Sequence, residues 1–178
     1  MLKDLPLSKV YQFIEPGPVT LLTTQTAATK PNLMAMTWHM MMGFEPPLIG
    51  CIVARDNHSF AALYETRQCV IAVPPASMAR TVTAIGNCTG ADTDKFGTYG
   101  ITTLPGTYVR PPLLAEAIVN LECTVKDTQM VDIYDFFVLE CLKAWENPAL
   151  EQASTLHHHG YGAFTTDGDY IKLKSRMR

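Results

Sequence analysis

The sequence predicts a mainly β fold of the α+β class, in which short helices lie around a barrel of buried strands. Two observations favour it: apolar, β-branched runs dominate the chain, and the helical segments between them are short and irregularly spaced. The regular alternation of strand and helix that marks a doubly wound sheet is missing, and no G-x-G-x-x-G motif follows a strand. A Rossmann dinucleotide site is therefore not supported.

Six runs are predicted as strands because they mix hydrophobic alternation with solid apolar stretches. They are residues 18–26, 32–42, 48–54, 68–73, 117–126 and 134–145. Short helices are predicted at residues 8–14, 59–66, 77–85 and 92–99. Ser77 is the expected N-cap of the third helix, and Asp92 or Thr93 is expected near the start of the fourth.

Length and composition predict one domain, residues 1–178, with no repeat or linker. The net charge of -3 argues against binding of nucleic acid through its phosphates. The apolar runs are too short to span a membrane, and the N-terminus lacks the apolar region of a signal peptide. The five cysteines are widely spaced and contain no C-x-x-C pair, which indicates a reduced, cytoplasmic protein. Four of them lie in apolar runs, where cysteine acts as a small buried hydrophobe.

The methionine-rich segment 31–47 allows two interpretations. Flexible methionines that fill a core strand are the more common case. A copper site anchored by His39 is the alternative, since thioether and imidazole suit Cu(I). Strand alternation sends Met40 and Met42 to one face and His39 and Met41 to the other, so these side chains are not expected to converge on one ion. No metal site is therefore predicted.

Two polar segments at helix starts are candidates for an anion site. Arg55, His58 and Ser59 lie where a buried strand ends and a helix begins, and free N–H groups at such a start suit phosphate. Lys95 lies early in the helix after a glycine-containing loop, where a cation is mildly unfavourable unless an anion binds. Taken singly, both segments are weak signals: an ordinary capped helix with a surface arginine is the better interpretation of the first, and a solvated lysine paired with Asp92 or Asp94 is the alternative for the second.

The order and spacing of short motifs carry more information than any one motif. In chain order they are N-x-x-x-x-x-W at 32–38, F-x-P-P at 44–47, R-x-x-H-S-F at 55–60, T-D-K-F at 93–96, L-P-G at 104–106, P-P-L-L-A-E at 111–116 and N-L-E-C at 120–123. Over roughly residues 10–178, this series resembles the flavin reductase-like domain family, which includes flavoredoxin.

The resemblance implies an FMN-binding split β-barrel with short peripheral helices, usually a homodimer with flavin near the subunit interface. The implied function is a flavoprotein oxidoreductase that passes electrons from NAD(P)H or a redox partner protein through FMN. The alternative is a non-catalytic FMN- or metal-binding protein. Positions similar to the family's cofactor contacts are Asn32, Met34, Ala35, Met36, Thr37 and Trp38 along the ring and Arg55, His58, Ser59 and Lys95 around the phosphate.

Two later features complete the comparison with the family. Tyr134 stands where many reductases of this family carry the histidine of a G-D-H motif on a late strand, which makes it the candidate catalytic residue. A tyrosine is a poor proton shuttle at neutral pH, so slow oxidation of NAD(P)H is expected. The segment 156–164 holds three consecutive histidines, which we interpret as structural or interface residues. Similar flavoproteins carry a His/Gly/aromatic segment here, and the resemblance implies that this segment, which ends in Phe164, closes over the flavin.

Overall fold

Eight strands form one curled antiparallel sheet in this computed structural model, which describes residues 1–176. The last two residues of the predicted domain, 177 and 178, lie outside the described residues. The strands are β1 (Lys3–Leu5), β2 (Thr20–Thr24), β3 (Asn32–Met36), β4 (His39–Phe44), β5 (Pro47–Ile52), β6 (Gln68–Val73), β7 (Thr103–Leu104), β8 (Leu113–Leu114), β9 (Val119–Asp127), β10 (Phe136–Glu146), β11 (Leu156–His158) and β12 (Phe164–Thr166). The helices are α1 (Tyr11–Ile14), α2 (His58–Thr66), α3 (Ala79–Gly86), α4 (Lys95–Tyr99) and α5 (Val131–Tyr134).

The order of strands makes the sheet a split barrel, as the sequence predicts. The order is β3-β2-β6-β9-β10-β5-β4, with β1 added beside β10. Strands β3 and β4 are the two edges of this sheet, yet only Thr37 and Trp38 separate them in the chain. Because two residues span less than about 8 Å, the sheet must curl until its edges meet. The pairs β7–β8 and β11–β12 form two small separate sheets.

The apolar runs are solid because the main strands are buried on both faces. Leu22 and Ile71 point into the barrel core, whereas Leu21 packs outside it with Val82 and Ile85 of α3. Successive strand residues point to opposite faces, so the run Leu21-Leu22 serves two cores at once. This second core holds α3 and α4 against the outer face of β2 and β3 and so sets the position of the functional groove.

Four of the five cysteines are buried, as the sequence predicts, and the fifth is partly exposed. Cys51, Cys69, Cys123 and Cys141 are at most 1% exposed and lie in the barrel core. Burial raises the pKa of the Cys51 thiol far above its ordinary value, with a smaller contribution from Cys69, so this side chain acts as a protonated apolar group. The fifth, Cys88, is only partly buried and is free like the others.

Three predicted elements are corrected by the structure. The run 32–42 is two strands rather than one, because the chain crosses from one sheet edge to the other at Thr37 and Trp38. Alternation within β4 holds, since His39 and Met41 are half-buried and their neighbours exposed. The predicted helix 8–14 divides into a 3₁₀ turn, Leu7–Lys9, and the single turn α1. The predicted strand 134–145 begins at Phe136, and Tyr134 ends helix α5 instead.

The expected helix caps also differ. Ser77 lies inside a 3₁₀ turn, Ala76–Met78, and makes no capping hydrogen bond, because α3 starts only after that turn. Helix α4 starts at Lys95 rather than at residue 92, and Asp94 caps it by accepting a 3.2 Å hydrogen bond from the Gly97 N–H. No helix within residues 1–176 has the length and hydropathy needed to cross a bilayer.

Candidate functional site

A polar cavity of about 230 Å³ lies where β3, the first turn of α2 and the loop before α4 meet. Strand β3 contributes Asn32 to its wall, α2 contributes His58 and Ser59, and α4 contributes Lys95. Gly86 at the end of α3 and loop residues 87–90 close the remaining side. Residues that the sequence predicts as binders therefore meet in one place although they are far apart in the chain.

Lys95 supplies the positive charge of the polar cavity. The residue is only 4% exposed, and its Nζ donates a 2.9 Å hydrogen bond to the carbonyl oxygen of Ile85. No carboxylate among the described residues forms an ion pair with it. Burial lowers the pKa of Lys95, while the neighbouring Cys88 thiol acts in the opposite direction. A buried cation without a counter-ion is costly, so this cavity is suited to an anionic group.

The start of α2 and the side chain of Asn32 form a second set of donors. No side chain caps α2, so the free N–H groups of its first turn are available to an anion. Asn32 Nδ2 donates a 2.8 Å hydrogen bond to Ser59 Oγ, which fixes the hydroxyl at the cavity wall. Gly90 packs directly against Asn32 and His58: a Cβ there would overlap Asn32 Oδ1 and lie 2.9 Å from His58 Cδ2.

A larger, more apolar cavity of about 400 Å³ continues the polar one along β3. Gly86 and Asn87 border both cavities, so the two form one groove. The side chains of Ala35 and Thr37 form its floor, and Val82 of α3 lies on one side. The hairpin β11–β12 and its connecting loop complete the wall with His158, Tyr161, Gly162 and Phe164. The groove therefore has one cationic end and one apolar end.

The groove gathers most of the predicted cofactor-binding residues. Those that line one of its two cavities are Asn32, Met34, Ala35, Thr37, His58, Ser59, Lys95 and Phe164. Two residues of the same β3–β4 segment point elsewhere. Met36 is buried in the barrel core, and Trp38, which lies just before β4, is 69% exposed.

Arg55 is held outside the groove by helix α5. Its guanidinium forms 3.0 Å ion pairs with Asp132 and Asp135 and donates a 3.0 Å hydrogen bond to the carbonyl oxygen of Val131. These acidic partners raise the pKa of Arg55, and the hydrogen bond that Arg55 donates to Asp132 contributes most. The convergence of Arg55 with Lys95 that the sequence suggests is therefore absent from this structure. Tyr134 sits on the same helix, 60% exposed, and lines neither cavity.

Several groove residues were not singled out from the sequence. Val82, Thr83 and Gly86 come from α3, whose inward face cannot be distinguished from ordinary core packing by its pattern. Cys88 and Gly90 lie in the polar loop before α4, where a glycine between two polar runs was the available signal. His158 was included among the three consecutive histidines, and strand alternation separates it from His157 and His159, but the sequence did not show that its face lines the groove.

An exposed apolar stripe runs along β4, at one edge of the sheet. Its members are Trp38, just before the strand, and Met40, Met42 and Phe44 within it, each between 48% and 69% exposed. Phe44 contacts Tyr11 of α1 edge-to-face, with ring centroids 5.0 Å apart. Contiguous apolar side chains on a sheet edge are typical of a surface that another protein chain covers.

The fold and this groove define the class of protein. The sequence profile of the flavin reductase like domain matches residues 14–165, and the chain belongs to that family. The Escherichia coli (strain K12) protein YddH is 27% identical over 180 residues, which cover 94% of this chain and 95% of YddH. The family and the fold together support a flavin-related redox function.

Two solved structures show how closely the fold is shared. An FMN-binding domain of a flavin reductases-like enzyme from Shewanella baltica OS155 has a TM-score of 0.89 at 21% identity, with 98% of each chain covered. Flavoredoxin from Methanosarcina acetivorans has a TM-score of 0.77 at 25% identity, with 89% of each chain covered. Both share the split-barrel architecture described above.

Proposed function

We propose that this protein binds FMN in the groove beside β3 and acts as an oxidoreductase of the flavin reductase and flavoredoxin type. The observation that carries the proposal is Lys95, a buried cation without an ion-pair partner among the described residues, at one end of a groove whose other end is apolar. FMN has the matching asymmetry, with an anionic phosphate at one end and a flat aromatic ring at the other.

The polar end fits the phosphate of FMN. Lys95 would supply a charge-assisted hydrogen bond, and the first turn of α2 would supply N–H groups and the positive end of its dipole. The Ser59 hydroxyl, oriented by Asn32, would add a further contact. Gly90 lets the loop approach closely enough to close this end of the groove.

The apolar end fits the isoalloxazine ring. Small side chains at Ala35 and Thr37 leave space beside the strand, and Val82 and Phe164 supply apolar walls. As an edge strand, β3 leaves backbone groups on its outer side free to meet the polar edge of the ring. Bound FMN would supply reversible hydride acceptance, which protein side chains do not supply.

Electrons would enter from NAD(P)H or from a redox partner protein. The 25% identity to a flavoredoxin supports the redox assignment over passive flavin storage. Because Tyr134 lies outside the groove of its own chain, we propose that reduction by NAD(P)H is slow. A redox protein is then the better candidate for the donor.

We further propose that a second copy of this chain covers the β4 stripe. Four exposed apolar residues on a sheet edge form a self-complementary surface for a twofold pairing. The loop that connects β11 to β12 carries the fully exposed Tyr161, which a partner chain would also bury. In such a homodimer the apolar end of each groove would lie near the interface.

The test begins with the colour of the purified protein. The proposal predicts absorption bands of oxidised flavin, either as purified or after addition of FMN and removal of the excess. Anaerobic addition of NADH or NADPH should bleach these bands slowly. Protein that stays colourless after incubation with FMN would overturn the flavin assignment. Bound FMN that neither NADH nor NADPH bleaches would instead favour a passive carrier over a reductase.

A further inference from the structure

The three consecutive histidines of strand β11 and its following turn have three different surroundings. His157 Nε2 lies 2.8 Å from Asp167 Oδ1 and 3.1 Å from Thr155 Oγ1, which ties the hairpin to the chain beyond β12. His159 Nε2 lies 3.0 Å from Thr165 Oγ1 across the hairpin. Both rings therefore have structural partners away from the groove.

His158 is turned the other way, as strand alternation requires. Its ring packs against Phe164, with ring centroids 5.1 Å apart, and lines the apolar end of the groove. Within residues 1–176 its imidazole makes no hydrogen bond to another side chain or backbone group. A free ring nitrogen therefore stands in the wall where the flavin ring is proposed to bind.

The chemistry of the surrounding wall makes His158 distinctive. The polar side chains that share this cavity are Thr37 of the β3–β4 segment, Thr83 of α3, Asn87 of the following loop and Tyr161 of the hairpin. Threonine and tyrosine hydroxyls and amides do not change charge near pH 7, whereas histidine does. No carboxylate, lysine or arginine lines this cavity in the described part of the chain. His158 is thus the group there that can deliver a proton at neutral pH.

We propose that His158 is a catalytic proton donor for a planar carbonyl acceptor of the quinone class, bound against the flavin ring. This inference rests on the proposed function. In the step, the anionic form of reduced flavin would give the quinone two electrons and one proton as a hydride equivalent, and protonated His158 would give the second proton to the other carbonyl oxygen. The quinone becomes a hydroquinone, the flavin is oxidised, and His158 regains its proton from solvent, to which it is exposed.

The first test locates the ring without measuring turnover. Imidazole signals of ¹⁵N-labelled protein are recorded by NMR before and after addition of FMN, and assigned with the variants His157→Gln, His158→Gln and His159→Gln. We expect the His158 signals to shift on FMN binding and the His157 and His159 signals to stay in place. Unmoved His158 signals in protein with FMN bound would overturn the proposal.

The second test measures proton delivery. Protein with pre-reduced FMN is mixed anaerobically with menadione between pH 5.5 and 8.5. The wild-type rate should fall as pH rises through the range in which histidine side chains in general lose their charge. His158→Gln should lower the rate at pH 6 by about 100-fold and remove this pH dependence. The matched control His159→Gln should keep the wild-type profile.

Flavin absorbance separates the two possible failures. If wild-type protein binds no FMN, the proposed function fails and the role of His158 fails with it. If His158→Gln binds FMN as wild type does and keeps the wild-type rate and pH profile, only the role of His158 is overturned.

Discussion

At the scale of single residues, Cys88 reports directly on the groove. It lines the polar cavity, and its Sγ lies 3.4 Å from Tyr99 Oη, while the other four cysteines are at most 1% exposed in the barrel core. An alkylating reagent should therefore label Cys88 alone in native protein. Bound FMN should slow this labelling because its phosphate blocks the cavity. Mass spectrometry of peptides after brief treatment with N-ethylmaleimide measures both effects.

The other cysteines provide the internal control for this experiment. They should react only after unfolding in denaturant, whether FMN is present or not. Equal labelling of Cys88 with and without saturating FMN would show that the flavin phosphate lies elsewhere.

Glu122 is a second residue whose role follows from its contacts. Its carboxylate is fully buried and accepts hydrogen bonds from the backbone N–H groups of Thr107, Tyr108 and Val109 and from Trp145 Nε1, the last at 2.7 Å. This arrangement explains the L-P-G motif at 104–106, because a Cβ at Gly106 would lie 3.1 Å from Glu122 Oε2 and 2.6 Å from the Val109 carbonyl oxygen. The carboxylate thus organises a whole loop.

Replacement of this carboxylate should destabilise the fold without touching the groove. Glu122→Gln places an amide among N–H donors and should lower the free energy of unfolding by about 2–3 kcal/mol. Glu140→Gln is the control, since Glu140 pairs with Lys126, whose side chain is largely exposed. This substitution should lower the free energy of unfolding by less than about 1 kcal/mol. Urea unfolding measures both. An equal decrease in the free energy of unfolding of the two variants would contradict the role given to Glu122.

At the scale of elements, the loop before α4 should control how well FMN binds. Gly90→Ala forces the Asn32 side chain away and breaks its hydrogen bond to Ser59. We expect FMN affinity to fall about tenfold, the effect of losing roughly one good hydrogen bond. Gly168→Ala is the control because a Cβ there meets nothing within 4 Å. A fluorescence titration in which both variants bind FMN like wild type would contradict this account of the loop.

The strands show how far the sequence predicts the elements. The bounds of β6 match the prediction because its apolar run is continuous and ends at Pro74-Pro75. The break between β3 and β4 was missed because no glycine or proline marks Thr37 and Trp38. Closure of the barrel imposes that break, and closure depends on pairings across the whole chain.

The candidate site was predictable to a similar degree. Lys95 and Ser59 followed from motif order. Arg55 resembled a phosphate ligand, but its acidic partners Asp132 and Asp135 lie about 80 positions away and only the tertiary fold brings them near. Strand alternation sets His158 on the face opposite His157 and His159, but which face meets the groove depends on how β11 pairs with β12.

At the scale of the whole molecule, the β4 stripe predicts a dimer. A charge in the stripe should disrupt pairing because it would be buried without a partner. Met42→Glu should therefore give monomers in sedimentation velocity at micromolar concentration, where wild type gives dimers. The control Leu173→Glu, exposed in the C-terminal segment, should remain dimeric. Monomeric wild-type protein with FMN bound would contradict the proposed pairing.

The central claim is that Lys95 receives the phosphate of FMN at the polar end of the groove. The most direct measurement is a calorimetric titration of flavin-free protein with FMN and with riboflavin, which lacks the phosphate. Lys95→Met should weaken FMN binding by about ten- to hundred-fold, or ~1.5–3 kcal/mol, and leave riboflavin binding unchanged. Lys9→Met, at an exposed lysine outside the groove, should change neither. Equal weakening of both ligands by Lys95→Met, or wild-type protein that binds neither, would contradict the account.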